Sequence, residues 1–192
     1  MGSEDNFDME YLHAGKLELI MGNMFSGKST ELIRRINKTK SINKKIMVIN
    51  HASDTRNKMN VVCTHDNNKI NCIKLQSFAN FNTDLISQFD SYFIDEAQFF
   101  PDLYAFVVNL VDVHKKHVVV AGLDGDTHRN NFGDLHKLIS VCDTVDKLCA
   151  YCTRCNNGTL APFTKKKENN SLLIDIGGSD KYIAVCRYHY FN

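Results

Sequence analysis

Short apolar runs along this chain alternate with segments in which apolar residues recur at helical spacing. The runs predict five strands, at about residues 16–22, 45–50, 73–75, 91–95 and 117–123. The intervening periodic segments predict helices over residues 30–40, 78–88 and 101–116. Because strands that alternate with helices form parallel sheets covered by helices, the pattern predicts an α/β fold. The fifth run is almost entirely apolar, as expected for a strand buried on both faces.

The pattern changes after about residue 143. Cysteines cluster there, residues 156–170 are mostly polar, and two short apolar runs follow at 172–174 and 182–185. Such a segment is too poor in apolar residues to fold unaided. We therefore divide the chain into a loose tail over residues 1–14, an α/β nucleotide-binding domain over 15–142 and a small second domain over 143–192.

Composition narrows the class of protein further. The chain has 192 residues, a net charge of +1 and seven cysteines. Its balanced charge argues against nucleic acid or an anionic membrane surface as partner, and no apolar run approaches the length of a membrane span. An odd number of cysteines without a secretory signal argues against a disulfide framework, so we expect a cytoplasmic protein.

The first predicted strand runs directly into the pattern G-x-x-x-x-G-K-S, which is typical of a phosphate-binding loop. Its two glycines allow turns in which successive N–H groups point at phosphate oxygens, next to the positive end of the following helix. Lys28 is expected to reach the β- and γ-phosphates, and Ser29 to join the Mg²⁺ shell. The alternative is a fortuitous turn. The predicted ATP-binding residues are Gly22, Asn23, Met24, Phe25, Ser26, Gly27, Lys28 and Ser29.

A second motif lies in the small domain, where Cys152 and Cys155 form one Cys-x-x-Cys unit and Cys186 and His189 form a Cys-x-x-His unit. Two such units about thirty residues apart are typical of a zinc ribbon. A site with four protein ligands leaves no position for water, so the predicted zinc ion is structural. Cys149, three residues before Cys152, is a spare thiol and an alternative ligand. A redox pair formed by Cys152 and Cys155 alone is the alternative.

The fourth predicted strand ends in two acids, Asp95 and Glu96. A carboxylate at the end of an apolar strand completes many phosphate-loop sites by holding Mg²⁺. Glu96, one residue further, is placed to act as a general base toward the group that attacks the γ-phosphate. Alternatively, both acids only cap the next helix.

Several motifs occur in a characteristic order: the phosphate loop, residues 54–56, 95–100, 123–125 and 132–133, the two metal-binding units, and residues 176–182. Together they resemble the type II thymidine kinases, a zinc-containing family of cellular, bacterial and poxviral enzymes. The resemblance extends over about residues 16–191. It implies a RecA-like phosphate-loop core with a small zinc ribbon.

The resemblance also implies an activity, the transfer of the ATP γ-phosphate to the 5′-hydroxyl of thymidine or deoxyuridine in nucleotide salvage. Glu96 then matches the general base, and Arg56 neutralises phosphate charge. Asp54 and Asp95 support the Mg²⁺ shell, and the following Ala97 and Gln98 are assigned to the same ATP and Mg²⁺ site.

In this family a loop from the zinc domain covers the nucleoside, and the matching stretch here is residues 173–182. The resemblance implies that backbone groups of the loop bind the pyrimidine, and that several side chains complete the pocket or form ordinary core. Thr127 stands where the family commonly has an aromatic residue, so one stacking contact is absent or supplied by His128. The predicted nucleoside site comprises Met24, Phe99, Leu123, Thr127, Phe132, Leu173, Ile174, Asp175, Ile176, Gly177 and Tyr182.

The family further implies a homotetramer that thymidine triphosphate inhibits. Two other functions stay open at this point. A nucleic-acid-dependent ATPase would use Glu96 to activate water, and the basic run at residues 165–167 is either a solvated loop or a nucleic-acid patch. A non-enzymatic zinc-ribbon adaptor would bind nucleotide only as a switch.

Overall fold

A computed structural model describes residues 14–54, 61–63, 69–167 and 177–192 of the chain. Its centre is a six-stranded sheet in the order β5-β2-β6-β7-β1-β8, in which every neighbouring pair is parallel. The parallel α/β fold predicted from the sequence is therefore confirmed. The strands of this sheet are β1 (Lys16–Gly22), β2 (Ile46–His51), β5 (Ile73–Leu75), β6 (Ser91–Asp95), β7 (His117–Leu123) and β8 (Thr144–Leu148).

The two faces of the sheet are buried by different elements, because side chains alternate along each strand. In β7, Val118 and Val120 pack on one face, while Val119 and Ala121 pack on the other. Helix α1 (Lys28–Lys40) covers the second face with Leu32, Ile33 and Ile36. The first face is covered by α2 (Leu103–Val108), the π-helical turn Asn109–Val113 and the 3₁₀ segment Leu135–Ser140.

The segment predicted as a helix over residues 78–88 is instead two 3₁₀ segments, Phe78–Asn80 and Thr83–Gln88. The Ser77 and Asn82 side chains each accept a hydrogen bond from the N–H two residues further on. Such local bonds start a new turn each time, so the two turns do not merge into one α-helix. The predicted helix over 101–116 is shorter as well, and its π turn ends before Lys115, which has a φ of 52°.

Smaller strands build the rest of the described chain. A hairpin of β3 (Val61–Cys63) and β4 (Lys69–Asn71) lies beside α1. Beyond β8, β9 (Ala150–Tyr151) pairs with β10 (Leu160–Ala161), β11 (Phe163–Lys166) pairs with β12 (Tyr182–Val185), and α3 (Arg187–Phe191) ends the chain. These C-terminal elements share a small apolar cluster.

The division of the chain at residue 142 stays a prediction. Strand β8 lies just beyond that position and pairs with β1 along the edge of the large sheet. The sequence pattern of Thr144 to Leu148 gives little sign of this, because four of its five residues are exposed. The helices of the described ranges all lack the length and apolar character that a membrane span requires.

Candidate active site

The phosphate loop lies between the end of β1 and the start of α1. Gly27 has a φ of 85°, in the left-handed region that favours glycine. Gly22 is needed for a different reason, since a Cβ atom there would lie 2.4 Å from the carbonyl oxygen of Leu148 in β8. The loop is therefore shaped partly by its own turn and partly by the neighbouring edge strand.

The carbonyl oxygen of Asn23 organises the interior of this loop. It accepts hydrogen bonds from Lys28 Nζ at 2.7 Å and from Ser26 Oγ at 2.8 Å. The Asn23 side chain is buried, and its Oδ1 accepts the backbone N–H of Ala150 at 3.3 Å. Lys28 thus lies across the loop, where its ammonium group can meet phosphate oxygens.

The middle of the loop is attached to the C-terminal elements. The backbone N–H of Met24 donates to Thr164 Oγ1 at 3.0 Å, and the Thr164 side chain is buried. Phe25, which has a φ of 68°, packs against the apolar cluster of the C-terminal elements. The sequence gives no signal for Thr164, because its partner lies 140 residues away along the chain.

A row of polar side chains follows the carboxyl edge of the sheet. Ser29 Oγ donates to Asp95 Oδ2 at 3.1 Å, which links the phosphate loop to the end of β6. Asn50 lies opposite Asp95 in the strand register. Its Nδ2 donates to Asp54 Oδ2 at 3.0 Å, and both residues are buried. The structure therefore brings Ser29 and Asp95 into direct contact, and Asn50 links Asp54 to the same edge of the sheet. That these residues bind Mg²⁺ stays a prediction.

Glu96 occupies a left-handed backbone position with a φ of 51°. Its Oε2 accepts a hydrogen bond from Gln98 Nε2 at 2.7 Å. The Gln98 Oε1 atom accepts the backbone N–H of Leu123 at 2.9 Å, so one buried amide connects the Glu96 carboxylate with the end of β7. The Ala97 side chain, in contrast, is fully buried in the core.

Aromatic rings lie next to this acidic segment. The Phe99 ring meets the Phe132 ring edge to face at 5.4 Å, and the His51 ring also lies 5.4 Å from Phe99. Burial lowers the pKa of His51, opposed by its hydrogen bond to the Gln76 carbonyl and by the charge of Glu96. The sequence analysis did not identify His51 as a residue of this site. Its position as the last residue of β2 is the signal that places it at the carboxyl edge of the sheet.

The predicted pocket residues that the structure describes differ in burial. The three buried apolar clusters of the described ranges are built without Met24, Phe99, Leu123 and Phe132, which are half-buried. A cleft of about 410 Å³ is lined by Phe25, Tyr182 and other residues of the C-terminal elements. Gly177 is half-buried at the start of the turn that leads into β12. Arg56 and residues 173–176 lie outside the described residues.

The four predicted metal ligands converge on one point, with their ligand atoms all within 4.8 Å of one another. The His189 Nδ1 atom lies 3.6, 3.4 and 3.4 Å from the sulfurs of Cys152, Cys155 and Cys186. The Cys155 and Cys186 sulfurs are 3.8 Å apart. A tetrahedral zinc ion with bonds of about 2.3 Å to sulfur and about 2.0–2.1 Å to nitrogen requires roughly these separations, about 3.8 and 3.5 Å.

The surroundings of Cys152 suit a thiolate ligand. Burial opposes its ionisation, but N–H groups of Cys186, Cys155 and Arg154 lower the pKa of the Cys152 thiol to about 6. Metals bind the deprotonated form, so these backbone groups favour the ligand state. Cys149 is not one of the four converging residues.

Comparisons with known proteins show which proteins the chain is similar to. The family profile described as "Thymidine kinase" matches residues 15–190. "Thymidine kinase a" of Arabidopsis thaliana is 41% identical over 187 residues, which cover 95% of this chain and 78% of the plant protein. The thymidine kinase of fowlpox virus is 38% identical, covering 94% of this chain and all of the viral protein. The thymidine kinase of Amsacta moorei entomopoxvirus is 41% identical, covering 92% of this chain and 98% of the viral protein. The chain belongs to the thymidine kinase family.

Proposed function

We propose that this protein transfers the γ-phosphoryl group of ATP to the 5′-hydroxyl of thymidine, and of deoxyuridine, giving the nucleoside monophosphate and ADP. Family membership supports the reaction class, as do the relatives that are named thymidine kinases. The single observation that carries the mechanism is the hydrogen bond from Ser29 to Asp95. It holds the phosphate loop beside the segment that presents Glu96.

Residues 22–29 bind the triphosphate in this mechanism. Phosphate oxygens meet the backbone N–H groups of the loop and the first turn of α1, where the helix dipole favours negative charge. Lys28 turns from the Asn23 carbonyl toward the β- and γ-phosphates, and its charge offsets the charge that develops on the transferred group.

The oxygen donors of Ser29, Asp95 and Asp54 fit the preference of Mg²⁺ for hard ligands. Of these, Ser29 and Asp95 lie within 3.1 Å of each other and would hold the ion that accompanies ATP. When bound, Mg²⁺ neutralises charge on the β- and γ-phosphate oxygens. Arg56, which lies outside the described residues, is proposed to add a second positive charge to this site.

Glu96 acts as the general base. Its carboxylate accepts the proton of the 5′-hydroxyl while the new bond forms between that oxygen and the γ-phosphorus, and the bond from phosphorus to the ADP oxygen breaks. Gln98 orients the carboxylate through its 2.7 Å hydrogen bond. A carboxylate that is aligned beforehand does not have to reorganise during the transfer.

The nucleoside lies against the half-buried side chains Met24, Phe99, Leu123 and Phe132, with Thr127 at the rim. Residues 173–177 are proposed to close over the pyrimidine with their backbone groups, and Tyr182 to contact the nucleoside from β12. An apolar wall gains free energy from the thymine methyl group, at about 0.8 kcal/mol for each buried carbon.

We further propose that Cys152, Cys155, Cys186 and His189 hold a structural zinc ion, which stabilises a domain with little apolar core. Assembly as a homotetramer, inhibition by thymidine triphosphate and a cytoplasmic location are proposed from the family alone. Light scattering of the purified protein tests the assembly, because a monomer-sized mass contradicts it.

The experiment incubates the full-length protein with Mg-ATP and thymidine and separates the products by chromatography. We expect thymidine monophosphate and ADP in equal amounts, and a loss of turnover of roughly 10²–10⁴-fold in Glu96→Gln. The matched control is Glu10→Gln in the predicted tail, which should behave as the unmodified chain.

Two further measurements distinguish the proposed kinase from the nucleic-acid-dependent ATPase and from the adaptor. ATP hydrolysis that depends on single-stranded polynucleotide, without thymidine monophosphate, would establish the nucleic-acid-dependent ATPase. Tight ATP binding with no phosphorylated product would establish the adaptor.

A further inference from the structure

The loop of residues 124–133 is anchored at both ends to the segment that carries Glu96. At its start, the Leu123 N–H donates to Gln98 Oε1 at 2.9 Å. At its end, the Phe132 ring contacts the Phe99 ring, and Gly133 comes so close that a Cβ atom there would lie 2.1 Å from the Gln98 carbonyl oxygen. We call residues 124–133 the nucleoside loop, because Thr127 is placed at the rim of the proposed nucleoside site.

The tip of the nucleoside loop is held from a different direction. The Tyr190 hydroxyl donates to the carbonyl oxygen of Thr127 at 2.7 Å, across 63 residues of sequence. The Arg129 guanidinium lies 4.7 Å from the centroids of both the Tyr190 and the Phe191 rings. A cation at this distance from an aromatic face is attracted to it, so two kinds of contact join the tip to α3.

Helix α3 is itself fixed in the small domain. The Tyr190 N–H donates to the Cys186 carbonyl at 2.9 Å, and the preceding residue, His189, belongs to the Cys₃His cluster. The Lys165 ammonium group of β11 donates to the His189 carbonyl at 3.0 Å. Tyr190 therefore projects from a short helix whose position is set by the cluster and by β11.

We infer that Tyr190 is a positioning residue for the nucleoside. Its hydroxyl group holds the tip of the nucleoside loop, at Thr127, in the position where the loop borders the substrate site. This inference rests on the proposed function. Thr127 has no ring with which to stack on a base, so the contribution of the loop tip to affinity depends on where the backbone at Thr127 and the neighbouring His128 lie. Because Tyr190 and Arg129 already hold the backbone at the loop tip, it loses less conformational freedom when the nucleoside binds. This favours the bound state.

The test compares Tyr190→Phe with Tyr188→Phe in the full-length protein. The two substitutions remove the same atom from the same helix, and Tyr188 is 69% exposed. We expect Tyr190→Phe to raise KM for thymidine about 3- to 10-fold, as loss of one hydrogen bond predicts. The kcat and the KM for ATP should stay within about 2-fold. Tyr188→Phe should match the unmodified protein.

Arg129 provides a second pair of variants. Arg129→Gln should raise KM for thymidine about 2- to 5-fold, because it removes the attraction of the guanidinium to the Tyr190 and Phe191 rings. Arg129→Lys keeps a cation, so its increase in KM should be smaller. In the combined variant the increase should be smaller than the product of the two single effects, since both residues act on one loop tip.

Metal content and thermal unfolding of each variant distinguish positioning from general damage. A Tyr190→Phe protein with unchanged KM for thymidine overturns the inference, as does one in which kcat and both KM values worsen together or the metal content falls. These outcomes require an unmodified protein that forms thymidine monophosphate. If the unmodified protein forms none, the proposed function fails and this inference fails with it.

Discussion

Ser29 donates a hydrogen bond to Asp95 with Oγ and Oδ2 3.1 Å apart, although 66 positions separate them in the sequence. Ser29 lies in the first turn of α1 and Asp95 at the end of β6. Strand β7 separates β1 from β6 in the sheet, so the phosphate loop that follows β1 and the end of β6 belong to strands that do not pair with each other. The hydrogen bond joins two motifs that the chain presents far apart.

Removal of this hydroxyl should weaken catalysis more than folding. In Ser29→Ala we expect kcat/KM for ATP to fall by about 10- to 100-fold, because a hydrogen bond to a charged group is lost at the site where the triphosphate binds. Ser29→Thr keeps a hydroxyl group and serves as the matched control. Steady-state kinetics at varied ATP concentration measures the effect. Equal values for the alanine variant and the unmodified protein would contradict the assigned role.

Gln98→Leu should reduce both turnover and stability. The substitution leaves the N–H of the half-buried Leu123 without its amide partner, which should lower the free energy of unfolding by about 0.5–1.5 kcal/mol. It also releases the Glu96 carboxylate, and we expect kcat to fall about 10-fold with KM for thymidine nearly unchanged. Urea unfolding and initial rates measure the two effects. Gln88→Leu, at an exposed position, is the control, and an unchanged unfolding midpoint in Gln98→Leu would refute the bridging role.

Loss of one cluster ligand should loosen the phosphate loop as well as the small domain. Cys155→Ser should reduce bound zinc well below about one ion per chain, measured by elemental analysis, and lower the melting temperature. Because Met24 and Asn23 are hydrogen-bonded to Thr164 and Ala150 of the C-terminal elements, the KM for ATP should rise. Cys149→Ser should retain the metal, since Cys149 is not one of the converging ligands. Full zinc content in Cys155→Ser would show that the cluster is assigned wrongly.

Glu18 should make stability depend on pH in the acid range. Hydrogen bonding to His117 lowers its pKa from 4.5 to about 2, with burial opposing and Lys16 adding to the decrease. Because the folded pKa is the lower one, the stabilisation is complete above about pH 4.5 and is lost as the pH falls toward 2. Glu18→Gln should therefore lower the free energy of unfolding by about 1–3 kcal/mol at pH 7 and by much less at pH 2.

Urea unfolding over this pH range measures the difference, with Asp112→Asn at an exposed position as the control. If Glu18→Gln lowers the free energy of unfolding by the same amount from pH 7 to pH 2, the residue acts by packing alone.

Much of the fold is determined by local pattern in the sequence. The runs at residues 16–22, 91–95 and 117–123 have nearly the bounds of β1, β6 and β7, since a strand buried on both faces requires continuous apolar residues. The edge strand β8 was not predicted, because its mostly exposed residues do not form a continuous apolar run. The segment at 78–88 has apolar spacing that suits a helix, but hydrogen bonds from Ser77 and Asn82 divide it.

The sequence by itself determined the chemical groups of this protein. The phosphate loop, the Asp95 and Glu96 pair and each of the two metal-binding units are encoded within a few neighbouring residues, so local spacing predicts their chemistry. The tertiary structure decided which distant groups support them: Thr164 for Met24, Gln98 for Leu123 and Tyr190 for Thr127. These partners are ordinary polar residues with no local signature, and only the packing of remote segments brings their atoms within hydrogen-bonding distance.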